Sequence, residues 1–311
     1  MAESDELEAQ ISLQVLITQK AELLATRESN SGAAVKKSRD EHVKNKKSLK
    51  SDLKKTTAFV KKIKNINAEG LQQCIRDTET LNLTLYISEI VTALLETAYK
   101  ATDVAMIVKL CACLHKRYEE FTDPLITGLR SSLLANPSED DADGPKKRRI
   151  QTRFLIELFQ VGIFTDDTFF VSVIKMLLGK RKSLTNAGSE SGGAGLPINK
   201  KFADLQGLTV FVKFGAEPLL GFCPPKMHAT AQAAGKPIDV SVLSLADMMS
   251  DSCPIKLLCS SVTCEALREQ LQPAYDQLTF DLIGAHKDLR QKERRYEKDS
   301  LLHGSLSEDK Q

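Results

Sequence analysis

The sequence predicts an all-α protein made of antiparallel helical hairpins stacked side by side. Apolar residues recur at steps of three and four along most of the 311 residues, which is the spacing of one helix face. Tryptophan is absent and aromatic residues make up 5% of the chain, a composition that suits helical packing on aliphatic side chains. Short breaks separate the periodic segments, as in helical-repeat proteins. We therefore expect a HEAT-like stack, preceded by a long basic N-terminal helix.

Two charged segments open the chain. Residues 1–33 are predicted to form an acidic N-terminal helix or arm, because the first 28 residues carry six acids against two bases. Residues 34–67 are predicted to form one long basic helix, since the net charge over residues 36–64 is +9. Apolar residues are scarce before Leu49, so residues 36–48 are either a solvated helix or disordered. The predicted apolar positions are Leu7, Ile11, Val15 or Leu16, and the pair Leu23-Leu24 in the arm, and Leu49, Leu53, Thr56, Val60, Ile63 and Ile66 in the basic helix.

The remaining residues, 68–311, are predicted to form a helical-repeat middle domain. Pro124 marks a helix start, because the first turn of a helix tolerates proline. Residues 136–147 and 179–200 are rich in turn residues and glycine and are predicted to be flexible loops. Helices are expected near residues 83–98, 104–118 and 123–135, from Arg148, at 166–178, 200–214 and 224–234, within 239–270, and from Pro273 to Leu302.

The sequence contains no recognisable catalytic or cofactor-binding motif. The phosphate-binding loop, the dinucleotide-binding fingerprint, the zinc-protease motif and the nucleophile elbow are all missing. Cys111, Cys113 and His115 leave a metal half-site open as an alternative, but on a helix Cys113 points away from the other two, and no second ligand pair follows. Buried thiols and a buried histidine explain the pattern better. We expect a protein that is not an enzyme and holds no cofactor or metal.

The cysteines and the N-terminus bear on where the protein acts. Seven cysteines are scattered along the chain, and the N-terminus is acidic where a signal peptide would be basic. Both features predict reduced thiols in the cytosol or nucleus. Charged residues interrupt every apolar run before the length of about 18 residues that a membrane helix needs. No membrane association is expected.

Two basic clusters are the candidate contact sites for RNA or a protein partner. Lysines without interleaved aromatic residues suit sequence-independent phosphate contact, although a solvated helix face explains the same residues equally well. The run from Lys146 to Arg149 resembles a nuclear import signal. We expect it to lie in the preceding loop, because a helix N-terminus disfavours cations. The candidate contact residues are Lys54, Lys55, Lys61, Lys62, Lys64, Arg148 and Arg149.

Five blocks of sequence resemble one family, in the same order along the chain. They are KKTTAFVKKIK (54–64), LNLTLYISEI (81–90), LHKRYEEF (114–121), RFLIELFQVGIFTD (153–166) and GSLSEDKQ (304–311). They resemble the first middle-domain-of-initiation-factor-4G (MIF4G) module of the regulator of nonsense transcripts 2 family, the scaffolds of nonsense-mediated mRNA decay. The resemblance implies HEAT-like hairpins and partners among the decay factors, including the up-frameshift helicase, which the family binds through regions outside this chain. The family's known partner-binding residues have no counterparts here.

The leading hypothesis is a non-enzymatic scaffold module in nonsense-mediated mRNA decay, which supports assembly of the surveillance complex on mRNA. Such a module is expected in the cytoplasm, with a perinuclear position or shuttling to the nucleus as alternatives. An RNA-binding module that uses the basic helix is one alternative. A translation-initiation-type scaffold is another, and it rests on fold analogy alone. Independently of the family, Phe154, Leu155 and Leu158 share one helix face and are predicted to be buried.

Overall fold

The computed structural model describes residues 2–65, 68–97, 99–135, 143–179, 204–223, 225–235 and 257–303. These residues form twelve α-helices, and the extended backbone among them is limited to one isolated bridge, so the all-α prediction is confirmed. The helices are α1 (Ala2–Ser29), α2 (Gly32–Asn45), α3 (Leu53–Lys64), α4 (Ala68–Thr80), α5 (Ile87–Glu96), α6 (Val104–His115), α7 (Thr122–Leu134), α8 (Gly144–Gln160), α9 (Phe169–Leu178), α10 (Leu205–Gly215), α11 (Pro225–Ala233) and α12 (Ser261–His303).

The helices from α3 onward are arranged in two layers. In one layer α3, α5, α7, α9 and the start of α12 pack side by side in that order. In the other layer α4, α6, α8 and α10 do the same. Consecutive helices meet across the layers, as α3 does with α4, α7 with α8 and α9 with α10. This is the HEAT-like architecture that the periodicity predicted. The first helix lies outside the two layers and packs on α11.

One continuous hydrophobic core fills the space between the layers. Phe154, Leu155 and Leu158 are buried in it, which confirms the predicted face of α8. Four phenylalanines from α8, the turn after it, α9 and α10 pack edge to face in this core, with ring centroids 5.3–6.4 Å apart. This arrangement is favourable because the positive edge of one ring meets the negative face of the next. The four residues are Phe159, Phe164, Phe170 and Phe211.

The C-terminus of α8 is closed by a Schellman motif. The amide of Gly162 donates to the carbonyl of Phe159 at 3.1 Å, and the amide of Ile163 donates to the carbonyl of Leu158 at 3.0 Å. These are the two backbone bonds that define the motif, and they require a left-handed residue, here Gly162 with φ of 78°. The guanidinium of Arg27 donates to the carbonyl of Phe159 from the outside and stands 4.9 Å from its ring centroid. The end of α1 is thereby fixed to the end of α8.

The predicted single helix over residues 34–67 is wrong, because the chain breaks between α2 and α3. Lys50 donates its amide to the carbonyl of Thr80 at 2.9 Å, and its carbonyl accepts from the amide of Asn82 at 3.1 Å. Its backbone groups therefore bond to the end of α4 and the residues after it instead of to a continuous helix. Asp52 then caps α3 by accepting the amide of Lys55 at 3.1 Å. The core-facing residues of α3 are Thr56, Phe59 and Ile63, whereas the predicted Leu53 is exposed. The solvated alternative for residues 36–48 is confirmed, since α2 buries no residue.

Two other predicted boundaries differ from the structure. Residues 144–147, predicted to be loop, form the first turn of α8, with Pro145 at the helix start. The last helix begins at Ser261 rather than Pro273, because its first turns bury Cys264, Leu267 and Ala274. This packing outweighs the hydrogen bond that a proline inside a helix removes. The predicted loops over 136–142 and 180–200, and the predicted helical segments over 239–256, lie outside the described residues.

The first helix also differs from its predicted packing. The predicted apolar positions Leu7, Ile11 and Val15 are exposed, whereas the alternative Leu16 and the pair Leu23-Leu24 are half-buried. Leu13, which was not predicted, is buried against Ala231 of α11 and Ala234 just after it. The apolar spacing was correct for a helix, but burial depends on where the second element lies. In the part of the chain that the structure describes, no helix is both long and apolar enough to span a membrane.

Candidate interaction surfaces

Helix α3 presents a stripe of lysines on the side opposite the core. Thr56, Phe59 and Ile63 face inward, and the helical period of 3.6 residues therefore turns positions 54, 61 and 64 outward. Lys54, Lys61 and Lys64 are all exposed. We call these three residues the lysine stripe. It is a solvent-facing row of positive charge on a rigid element, which suits contact with a phosphate backbone or an acidic surface.

The other two predicted lysines of α3 lie beside the lysine stripe. Lys55 is exposed but belongs to the flank of the helix, and its backbone amide is held by Asp52. Lys62 is half-buried and forms an ion pair with Asp77 of α4 at 3.1 Å. That pair ties α3 to α4. Of the five lysines predicted to contact a partner, Lys62 is therefore already engaged within the fold.

The basic run at residues 146–149 lies in the first turns of α8, not in a loop as predicted. No acidic residue occupies the first turn of this helix, so the cations stand at its positive end, and Asp143 at the N-cap is the nearest acid among the described residues. Each such cation costs about 0.3–1 kcal/mol at an exposed site. Arg148 offsets part of this by donating to the carbonyl of Ala135 at 2.9 Å, which joins α8 to the end of α7. Arg149 instead lines a groove between α5, α8 and α10.

Arg149 lines a groove of about 770 Å³ that we call the basic groove. Its walls come from the end of α5 and the following turn, from Leu129 of α7, from the start of α8 and from the end of α10. The floor is apolar, and cations stand around it. The floor residues are Leu94, Leu95, Tyr99, Leu129, Ile150, Phe154, Val210 and Phe214, and the cations are Lys100, Lys146, Lys147, Arg149, Arg153 and Lys213.

Arg153 fixes the geometry between α8 and α10 at the edge of the basic groove. Its Nε donates to Glu157 at 2.6 Å and its Nη1 donates to the carbonyl of Ala101 at 2.6 Å. Its guanidinium carbon stands 4.2 Å from the ring centroid of Phe214, a cation–π contact. Arg153 is thus committed to the fold. Among the described residues, the groove's other five cations make no ion pair with an acidic side chain.

Cys111 and His115 are both buried. Cys111 is buried and burial raises the pKa of its thiol, while Cys113 is only half-buried. His115 is held by the carbonyl of Asn30 at 2.9 Å and by the hydroxyl of Thr122 at 2.6 Å. Desolvation lowers its pKa, so the ring is neutral at neutral pH. Among the described residues, no group of three or more potential ligands could hold a metal ion.

Sequence reasoning missed Lys100, Arg153 and Lys213 as members of one site. One signal was available, since Lys146, Arg149 and Arg153 are spaced by three and four and so share a face of α8. Lys100 and Lys213 come from distant segments, and no local pattern indicates that they meet α8. Their convergence is a property of the two-layer packing.

Comparison with known proteins gives the family. The MIF4G domain family matches residues 47–192, a span that contains α3 to α9 and both basic clusters. Regulator of nonsense transcripts 2 from Homo sapiens is 30% identical over 264 residues, which is 84% of this chain and 18% of that protein.

The chain carries a MIF4G domain and is homologous to regulator of nonsense transcripts 2. Regulator of nonsense transcripts UPF2 from Arabidopsis thaliana is 35% identical over 136 residues, which is 42% of this chain and 12% of that protein. The chain therefore spans less than a fifth of the length of these curated relatives. The crystal structure of the first MIF4G domain of human nonsense mediated decay factor UPF2 has the same fold. It superimposes with a TM-score of 0.67 and 23% identity, covering 98% of this chain and 89% of that one.

Proposed function

We propose that this MIF4G chain is a non-enzymatic scaffold module in nonsense-mediated mRNA decay, supporting assembly of the surveillance complex on mRNA. The observation that carries the proposal is the 30% identity to human regulator of nonsense transcripts 2 over 84% of the chain. Its partners are decay factors, among them the up-frameshift helicase. It acts in the cytoplasm, with shuttling to the nucleus as an extension of that role.

The architecture suits a scaffold. The two layers share one core, so the helices form a rigid body that holds surface groups at fixed separations. The lysine stripe and the basic groove lie on different elements of this body, α3 for the first and chiefly α5, α8 and α10 for the second. Such a module can engage two partners by separate surfaces. The matched relatives are decay proteins, which favours this role over the translation-initiation alternative.

Domain replacement in a reporter cell line tests the proposal. The segment of human regulator of nonsense transcripts 2 that matches this chain is exchanged for residues 1–311, and the half-life of a reporter mRNA with a premature stop codon is measured. We expect the exchanged protein to restore decay of that reporter and to leave a reporter without the premature stop unaffected. The original human segment is the positive control. A protein expressed at the normal level that leaves the reporter stable would contradict the scaffold role.

Direct RNA binding is the second candidate function, and the exposed lysine stripe favours it. Affinity for a mixed-sequence single-stranded RNA should fall as salt rises, because each phosphate contact releases a counterion. Replacing Lys54, Lys61 and Lys64 by alanine should reduce the log–log salt slope by about 2, since each lysine–phosphate pair on a single strand contributes about 0.7 to that slope. Lys62→Ala is the matched control, since Lys62 pairs with Asp77 and should leave the slope unchanged. Binding that does not depend on salt would rule out this function.

A further inference from the structure

The basic groove has the features of a docking site that the decay role alone does not specify. Apart from Arg153, its cations are Lys100, Lys146, Lys147, Arg149 and Lys213, and the acids among its described lining residues are Glu96 and Asp143. Lys100, Lys146, Lys147 and Lys213 are exposed and Arg149 is half-buried. Since Arg153 is neutralised by Glu157, these five side chains give the groove a net positive charge. A net positive groove favours an anionic ligand.

The floor of the groove adds a second requirement. Leu94, Leu129 and Phe154 are buried at its base, and Leu95 and Ile150 are half-exposed along it. A phosphate or another small anion would contact the cations without covering the apolar surface that Leu95 and Ile150 leave open to water. A ligand that also inserts apolar side chains removes the surface from water, which is favourable in proportion to the area covered. The volume of about 770 Å³ is within the range of small-ligand sites, so it takes a few side chains and not a folded domain.

The aromatic residues of the groove argue against nucleic acid as that ligand. Base recognition on a single strand uses an open ring face on which a base can stack. Tyr99 is buried, its hydroxyl donates to the carbonyl of Leu94, and its ring meets Phe154 edge to face with centroids 6.2 Å apart. The ring of Phe214 is covered by the guanidinium of Arg153 at 4.2 Å, with the ammonium of Lys213 at 5.7 Å. Neither ring offers the stacking face that a base would need.

We propose that the basic groove docks an acidic amphipathic helix of a protein partner, with apolar side chains on the floor between α5, α8 and α10 and carboxylates on the surrounding lysines and Arg149. Lys146, Arg149 and Ile150 lie on one face of α8 at the spacing of a helical stripe, so charge and apolar contact run along the same line. A helix with leucines every three to four residues and glutamates beside them matches this line. The carboxylates of such a helix also oppose the cations in the first turns of α8.

Fluorescence anisotropy with the full chain tests the proposal. The probe is a labelled synthetic peptide of about twenty residues with leucine at helical spacing and glutamate elsewhere. Two control peptides have the same length: one with the same residues in scrambled order, and one with serine in place of leucine. We expect saturable binding of the probe and affinity at least about tenfold lower for each control. Absence of binding, or equal affinity for the scrambled peptide, would overturn the proposal.

Charge reversals locate the site. Lys146→Glu, Arg149→Glu and Lys213→Glu together should weaken binding of the probe at least about tenfold. The same three-fold reversal on the lysine stripe of α3 is the matched control, because it changes the net charge equally and leaves the groove intact. Thermal melting of both variants checks that they fold. Equal weakening in both variants would mean non-specific attraction. If mixed-sequence RNA binds more tightly than the probe, and this binding is lost in the groove variant, the groove is a nucleic-acid site. Each of these two results would overturn the proposal.

This docking site does not depend on the decay role. The peptide experiment contains no decay factor, so its failure would leave the domain-replacement result standing, and the reverse also holds. The groove variant can in turn be introduced into the domain-replacement protein. Loss of reporter decay in that protein, with decay retained by the lysine-stripe variant, would connect the groove to the proposed function.

Discussion

Replacing Gly162 by alanine should destabilise the protein through the junction of α1 and α8. Gly162 has φ of 78°, and a side chain in the left-handed region costs about 1–2 kcal/mol. A Cβ at this position would also stand 3.0 Å from Cγ and 3.1 Å from the carbonyl oxygen of Arg27. The backbone of α1 would have to move, and the charged hydrogen bond from Arg27 to the carbonyl of Phe159 would weaken, at a cost of up to about 1.5–3 kcal/mol.

The total for Gly162→Ala is therefore about 1–5 kcal/mol, which corresponds to a melting temperature lower by about 2–20 °C at about 2–4 °C per kcal/mol. Urea unfolding and calorimetry measure the change. Gly284→Ala is the matched control, because Gly284 lies in α12 with no atom within 4 Å of the added Cβ. That substitution should stabilise by up to about 1 kcal/mol through helix propensity.

A double-mutant cycle separates the two contributions to the Gly162→Ala effect. In an Arg27→Ala background, Gly162→Ala should lower the free energy of unfolding by less than it does in the wild type. The close approach to Cγ and the charged hydrogen bond are already removed there, while the left-handed strain remains. Equal melting temperatures for wild type and Gly162→Ala, or the same shift for Gly162→Ala and Gly284→Ala, would refute the reasoning from this motif.

The core, a buried histidine and a surface ion pair give three further tests. Leu158→Ala should lower the free energy of unfolding by about 2–5 kcal/mol, because Leu158 is fully buried, and a urea titration with an unchanged midpoint would contradict its burial. Stability should fall as pH drops below about 6.5, since burial lowers the native pKa of His115 and the unfolded chain takes up protons first; His115→Gln should reduce this loss of stability. Arg130→Met should lower the melting temperature in low salt more than in high salt, because Arg130 pairs with Asp166 at 2.5 Å at a half-exposed site.

The helices of the two layers were accessible from the sequence because their burial is one-sided and repeats along the chain. The apolar residues of α5 to α9 recur at helical spacing, and Pro124 lies in the first turn of α7 as predicted. The buried face around Leu158 follows from the same rule. In α3 the spacing failed, since Leu49 and Leu53 continue the apolar pattern across a break that Lys50 makes by pairing with the chain after α4.

For the candidate interaction surfaces, too, the sequence predicted one part and left another to the tertiary structure. The basic clusters were identified from charge alone, and Lys54, Lys61 and Lys64 are exposed as a contact surface requires. The engagement of Lys62 with Asp77, and of Arg148 with the carbonyl of Ala135, could not be predicted, because both partners come from neighbouring helices whose positions the local sequence does not specify.

By itself the sequence determined the helical class, the periodic core faces, the lack of a recognisable catalytic motif and the position of its positive charge along the chain. These are local properties, set by side-chain chemistry at spacings of a few residues. Only the tertiary structure decided that α1 is fixed at Gly162, that the basic run forms the first turns of α8, and that Lys100, Arg149 and Lys213 surround one apolar floor. Those features depend on contacts between residues far apart in the chain, whose geometry comes from the packing of whole helices.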